Sequence, residues 1–103
     1  MISRKRHCQN DMVEVVFEFD RPEARRVLLF CDVEDWEPIQ MRRSLMRRSR
    51  RGAGPFRARV IVAMGEQAQF RYLVDDDEWV DDEYADGYCP NPFGSVNSVV
   101  CAI

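Results

Sequence analysis

The chain lacks most of the features that would announce a chemistry. It has one histidine, His7, and no C-x-x-C pair among its four cysteines, so no zinc site can be composed from it. Cys8, Cys31, Cys89 and Cys101 are scattered along the chain. Free thiols in a reducing compartment are expected of them, with a disulfide involving Cys89 or Cys101 as the alternative. There is no G-x-S-x-G, no H-E-x-x-H and no phosphate-cradling glycine loop, and among eighteen carboxylates the spacing picks out no acid/base pair. Cofactors and catalysis are therefore not expected. No apolar run approaches the roughly 18 residues of a membrane helix. The charged opening Met-Ile-Ser-Arg-Lys-Arg is followed by polar residues where a signal peptide has its apolar stretch. A cytoplasmic protein without membrane contact is the expectation. Nowhere does a 3.6-residue apolar period last three turns, which excludes a helical core.

What remains is an ordinary globular composition, 103 residues with 46% hydrophobic and 32% charged, enough for one domain with its own core. Charge is lopsided. Residues 1–59 carry a net +5 and residues 60–103 a net −8, together the overall −3. An acidic chain is a poor candidate for general nucleic-acid binding, and none is expected.

Strand signals recur along the chain. Residues 1–11 are polar and basic and are expected to be a flexible N-terminus. Met12–Phe19 alternates, with Val13, Val15, Phe17 and Phe19 on one face and Glu14 and Glu18 on the other. Val27–Cys31 is a short apolar run bounded by breakers, so a buried strand is favoured over helix. Phe56, Ala58, Val60, Val62 and Met64 share a face, and after a turn at Met64-Gly65-Glu66 the segment Ala68–Val74 alternates again as a hairpin partner. Gly87–Gly94, rich in Gly, Pro and Asn, reads as a loop, and Ser98–Ile103 as the last strand. The expectation is an all-β, immunoglobulin-like sandwich of about seven short strands over residues 12–103, with an Arg-rich loop at 42–55.

Two tryptophans stand out because each sits among carboxylates just past a strand: Trp36 in Asp32-Val-Glu-Asp-Trp-Glu-Pro38, and Trp79 in Asp75-Asp-Asp-Glu-Trp-Val-Asp-Asp82. An indole offers a large flat apolar face, and a pyranose ring presents a matching face of C–H groups. Composition allows a second role equally well, that of plugs closing the ends of the sandwich. Arg71 is out of phase with the core-facing Phe70 and Tyr72, and its forked donors suit sugar hydroxyls as well as the neighbouring acidic loop. Asn97 carries an amide suited to a diol or to turn chemistry. The acidic run 75–86 does not fit an EF-hand loop, since Val80 and Asp86 stand where Gly and Glu are needed. Six arginines within Arg42–Arg51 form a basic patch without interleaved aromatics, the mark of a solvated loop or a protein-docking segment.

In order along the chain these motifs resemble the glycogen-binding, isoamylase-N-terminal type of carbohydrate-binding module (family 48, in the early-set immunoglobulin-like group), in its small stand-alone bacterial form. Val27–Trp36 is similar to the family's apolar strand followed by Gly-Asp-Phe-Asn and Trp. Gln69–Asp75 with Trp79 resembles its aromatic-basic-aromatic strand, Asp-Gly turn and second Trp. Asp82–Gly94 and Asn97–Val100 resemble its closing loop and last strand. The resemblance implies α-glucan binding without catalysis: Trp36 and Trp79 as stacking platforms, Arg71 and Asn97 donating to hydroxyls, Phe93 and Ser95 edging the groove. It implies a glycogen-, starch- or maltooligosaccharide-type partner. A glycogen-metabolism enzyme or other protein meeting the Arg-rich loop is the alternative, as a regulatory or scaffolding module. The chain departs from the pattern where Cys31 and Glu34 replace Gly and Asn, where Asp76 replaces the turn Gly, and in the length of its arginine-rich insert.

Overall fold

The computed structural model describes residues 2–7, 11–43, 54–92 and 94–102. Phe93 and residues 44–53, most of the arginine-rich segment, lie outside the described residues. Among those described are ten strands: β1 (Ile2–His7), β2 (Met12–Phe19), β3 (Val27–Cys31), β4 (Ile39–Gln40), β5 (Arg42–Arg43), β6 (Phe56–Ala63), β7 (Gln67–Val74), β8 (Glu78–Val80), β9 (Gly87–Pro90) and β10 (Val96–Cys101). They build two antiparallel sheets. One is ordered β1-β2-β6-β5; the other runs β4-β3-β7-β10-β9, with β8 also paired to β7. The fold is an all-β sandwich, and no helix among the described residues is long and apolar enough to cross a membrane.

Alternation fixes which side chains meet. Val13, Val15 and Phe17 of β2 and Val60 and Val62 of β6 face Val27 and Leu29 of β3 and Ala68, Phe70, Tyr72 and Val74 of β7, all buried in one cluster. Phe17 meets Phe70 edge-on with ring centres 4.7 Å apart, and Phe19 meets Tyr72 at 4.6 Å. Such aromatic pairs add about 0.5–1.5 kcal/mol beyond the area they bury. A register slip of one residue would turn each of these rings to solvent, so the packing also fixes the pairing.

Asp82 is buried in this framework and fully engaged. Its Oδ2 accepts from the Tyr72 hydroxyl at 2.7 Å and its Oδ1 from the Tyr84 N–H at 2.8 Å. Its own N–H donates to Ser98 Oγ at 2.9 Å, and its carbonyl accepts from the Tyr88 hydroxyl at 2.6 Å. A buried carboxylate is tolerated because hydrogen bonds replace its lost water. Burial first, then the charge and hydrogen bond of Asp82, push the Tyr72 hydroxyl far above its ordinary pKa of 10.0.

Three expectations are corrected. The N-terminal stretch is not a loose end: Ile2–His7 pairs along its whole length with β2, from Ile2↔Phe17 to His7↔Met12. Main-chain pairing needs no apolar pattern, and the basic side chain of Arg4 finds acceptors in the Cys101 carbonyl at 2.7 Å and in the Asp86 carboxylate. Gly87–Pro90, read as loop, is an edge strand on β10, where Pro90 at the strand end leaves the ladder intact. The loop drawn at 42–55 begins as strand β5, with Arg42↔Arg57 and Arg43↔Phe56. Arg43 stacks its guanidinium 4.2 Å from the Phe56 ring centre and donates to the carbonyls of Gly54, Pro22 and Ala24. The strand count exceeds seven because β1 and β9 are additional and because β4, β5 and β8 are pieces of two or three residues.

Candidate functional site

The site lies on the outer face of the β4-β3-β7-β10-β9 sheet. Phe70 and Tyr72 point inward, so Gln69, Arg71 and Leu73 of β7 point outward. Register then places Phe30 of β3 directly beside Arg71, and Trp79 of β8 beside Leu73. Asn97, next to Ser98 in β10, falls on the same outer face. Of these, Phe30, Arg71, Trp79 and Asn97 line a groove of about 780 Å3.

Trp36 reaches this groove through an unusual turn. After β3 the chain makes one turn of 3-10 helix, Asp32–Glu34, and closes it with Trp36 N–H donating to the Cys31 carbonyl at 3.0 Å and Asp35 N–H to the Asp32 carbonyl at 3.1 Å. That pair of bonds is the Schellman closure of a helix end. It holds Asp35 at φ 56° and Trp36 at φ 60°, left-handed values that cost a side-chain-bearing residue roughly 1–2 kcal/mol. Asp32 Oδ1 ties the turn to β7 by accepting the Gln69 N–H at 3.1 Å. The departure at Cys31 carries no backbone strain: its φ is −140°, open to any residue. Its thiol is buried, and burial pushes its pKa up to about 11.

Trp79 is delivered by a hairpin turn in which Asp75 and Asp76 both have positive φ, 50° and 64°, as a type I′ turn requires. Asp77 N–H donates to the Val74 carbonyl at 3.2 Å across it. The side chain of Asp75 anchors the turn, its Oδ1 accepting the N–H groups of Arg26 at 2.9 Å and Arg25 at 2.8 Å. The Arg26 and Arg25 amides hold that carboxyl below its ordinary pKa.

The two indoles are 40% (Trp36) and 48% (Trp79) exposed, and both line the groove. Trp79 is braced on two sides, by Phe30 with ring centres 5.1 Å apart and by the Arg71 guanidinium 5.1 Å from its ring centre. Arg71 is itself held: Nη1 donates to Ser95 Oγ at 3.3 Å, and Nε lies 3.7 Å from Asp81 Oδ1, an ion pair too long to be a hydrogen bond.

Asn97 is buried rather than offered to solvent. Its Nδ2 donates to Gln69 Oε1 at 3.0 Å, and its Oδ1 accepts from Asn91 Nδ2 at 3.1 Å. Asn91 Nδ2 also reaches Ser95 Oγ at 2.9 Å, and the loop is closed by Asn91 N–H to the Ser95 carbonyl at 2.9 Å. A relay of amides thus runs from Gln69 to Ser95 and on to Arg71. Asn97 positions its neighbours, while Arg71 itself lines the groove.

Of the six residues named from sequence, Trp36, Arg71, Trp79, Ser95 and Asn97 line this one groove, and Phe93 lies outside the described residues. Sequence reasoning missed Phe30, Asn91 and Pro92, which line it too. Phe30 had a usable signal, being one residue out of phase with Leu29 and Cys31. Among the described residues no cluster of His, Cys, Asp or Glu is arranged to hold a metal ion.

No family model and no curated protein matches the chain. Among solved structures the chain is similar to ferric enterobactin esterase (Fes) from Salmonella typhimurium, with a TM-score of 0.71 and 11% sequence identity. The match covers 96% of this chain and 33% of the esterase, so the chain spans about a third of that protein's length. At this identity the likeness is one of fold alone.

Proposed function

We propose that this chain is a non-catalytic α-glucan-binding module. The observation that carries the reading is the convergence of two half-exposed indoles, a braced arginine and an amide-lined wall on one groove. Indoles stack on the C–H faces of glucosyl rings, and the Arg71 fork, positioned by the amide relay, meets the hydroxyl rims. Two stacking contacts at about 1 kcal/mol each beyond area burial, with a few solvent-exposed hydrogen bonds, give affinities between micromolar and millimolar. Chains long enough to span Trp36 and Trp79 bind better than short ones. A cytoplasmic location and a glycogen-, starch- or maltooligosaccharide-type ligand belong to the same reading.

Affinity electrophoresis through gels containing glycogen or amylose tests it. Retardation of the wild-type chain, lost in Trp36→Ala and in Trp79→Ala while both variants remain folded, is the expected result. Wild-type protein that runs unretarded would overturn the proposal. Turnover of the same glucans, abolished by a single carboxylate substitution, would overturn its non-catalytic half.

A further inference from the structure

We infer that the groove selects by charge as well as by shape, taking uncharged glucan segments and discriminating against those that carry phosphate esters. This inference rests on the glucan reading and names the ligand class within it.

Arg71 is the one cation among the described residues that line the groove, and its charge is already committed. Its Nε faces the Asp81 carboxylate at 3.7 Å, its Nη1 bonds Ser95, and its plane lies against Trp79. A ligand phosphate would therefore have to compete with Asp81 for it. Around Trp36 the balance is one-sided. Glu34, Asp35 and Glu37 are exposed, and among the described residues no cation pairs with any of them. They lie within two residues of the stacking indole. At about 0.01 M salt the Debye length is about 30 Å, so the repulsion between them and a phosphate on a sugar stacked there is little screened. Beside the turn that carries Trp79, Arg21 pairs with Glu78 at 3.1 Å and Arg26 with Asp76 at 3.7 Å. Three carboxylates with no cation partner among the described residues, acting on a phosphate charge of about −1.5 to −2, weaken binding roughly fivefold or more at low salt. An uncharged sugar feels none of this.

The test is calorimetric titration of the full chain with maltoheptaose and with maltoheptaose bearing one 6-phosphate, at low salt and at about 1 M salt, where the Debye length is about 3 Å. The expected result is a preference of roughly fivefold or more for the neutral sugar at low salt, which disappears at high salt. The variant E34Q/D35N/E37Q, whose Asn suits the left-handed φ at position 35, should bring the two ligands toward parity without changing maltoheptaose affinity. Equal or tighter binding of the phosphorylated sugar by wild type would overturn the inference and leave the glucan reading standing. An undiminished preference in the variant would overturn the assignment to these carboxylates. Failure of both sugars to bind would overturn the glucan reading itself.

Discussion

Arg71 holds its guanidinium 5.1 Å from the centre of the Trp79 indole ring. The contact leaves the rest of the fork free to bond Ser95 and approach Asp81, so one side chain joins the hairpin that carries Trp79 to the loop before β10. A planar, delocalised cation can stack and donate at once, whereas an ammonium cannot.

Arg71→Lys therefore keeps the charge and loses the brace. We expect glucan affinity to fall about five- to tenfold, the equivalent of one or two hydrogen bonds, with folding stability changed by about 0.5 kcal/mol or less. Titration with maltoheptaose beside urea unfolding separates the two effects. Unchanged affinity would mean that charge alone matters at this position.

The Tyr72–Asp82 bond at 2.7 Å predicts a different outcome, a stability loss without a binding loss. Tyr72→Phe keeps the ring packed against Phe19 and Phe70 but strips a donor from a buried carboxylate. The cost is about 1–3 kcal/mol, the penalty for a buried polar group left short of a partner. Urea midpoints measure it, and retardation in glycogen gels should stay as in wild type.

Asp75 makes stability depend on acid. The Arg26 and Arg25 amides hold its folded pKa below the ordinary value of 3.8, so at low pH the unfolded chain binds the proton more readily. Its contribution is complete above the unfolded value and is lost as pH falls from about 4 through the folded pKa. Asp86 acts in the same direction. Partial burial is the largest influence on it and works upward, but the Cys101 amide and Arg4 overcome this and leave its pKa lowered. Asp75→Asn keeps an acceptor for the two amides and removes the titration. The variant should be less stable than wild type at neutral pH and converge on it in acid, as read from urea midpoints across a pH series. Parallel curves would exclude the role assigned to Asp75.

Much of this fold was legible because side-chain alternation and breakers are local signals. Met12–Phe19 and Val27–Cys31 match their strands residue for residue. Ile2–His7 was not legible, since a polar strand is held by main-chain pairing, from His7↔Met12 to Ile2↔Phe17, and not by a side-chain pattern. Gly87–Pro90 was hidden by its own Gly and Pro, which are tolerated at a sheet edge. The groove followed the same division. Trp36, Arg71 and Trp79 could be placed by strand phase and flanking charge. The burial of Asn97 could not, because its amide partners Gln69 and Asn91 meet it only through tertiary register. Phe30 was obscured by the apolar residues on both sides of it.

The turn at Asp75-Asp76 is where the chain departs most visibly from the glycine expected in such a turn, and it gives a prediction with a fixed order. Asp76 stands at φ 64° and is exposed, and it pairs with Arg26 at 3.7 Å between side chains that are both more than half exposed. Such a pair contributes little, about 0.5 kcal/mol or less. The left-handed backbone costs a residue bearing a Cβ roughly 1 kcal/mol, and Asp less than Ala because its short polar side chain bonds locally. Asp76→Gly relieves that strain and loses some ground to the freer unfolded chain, for a net gain of about 0.3–0.8 kcal/mol. Asp76→Ala keeps the strain, gives up the local bonding and loses about 0.5–1 kcal/mol. Urea unfolding should therefore rank the residue at this position Gly above Asp above Ala. An alanine variant as stable as the glycine one would show that the turn does not hold a positive φ in solution.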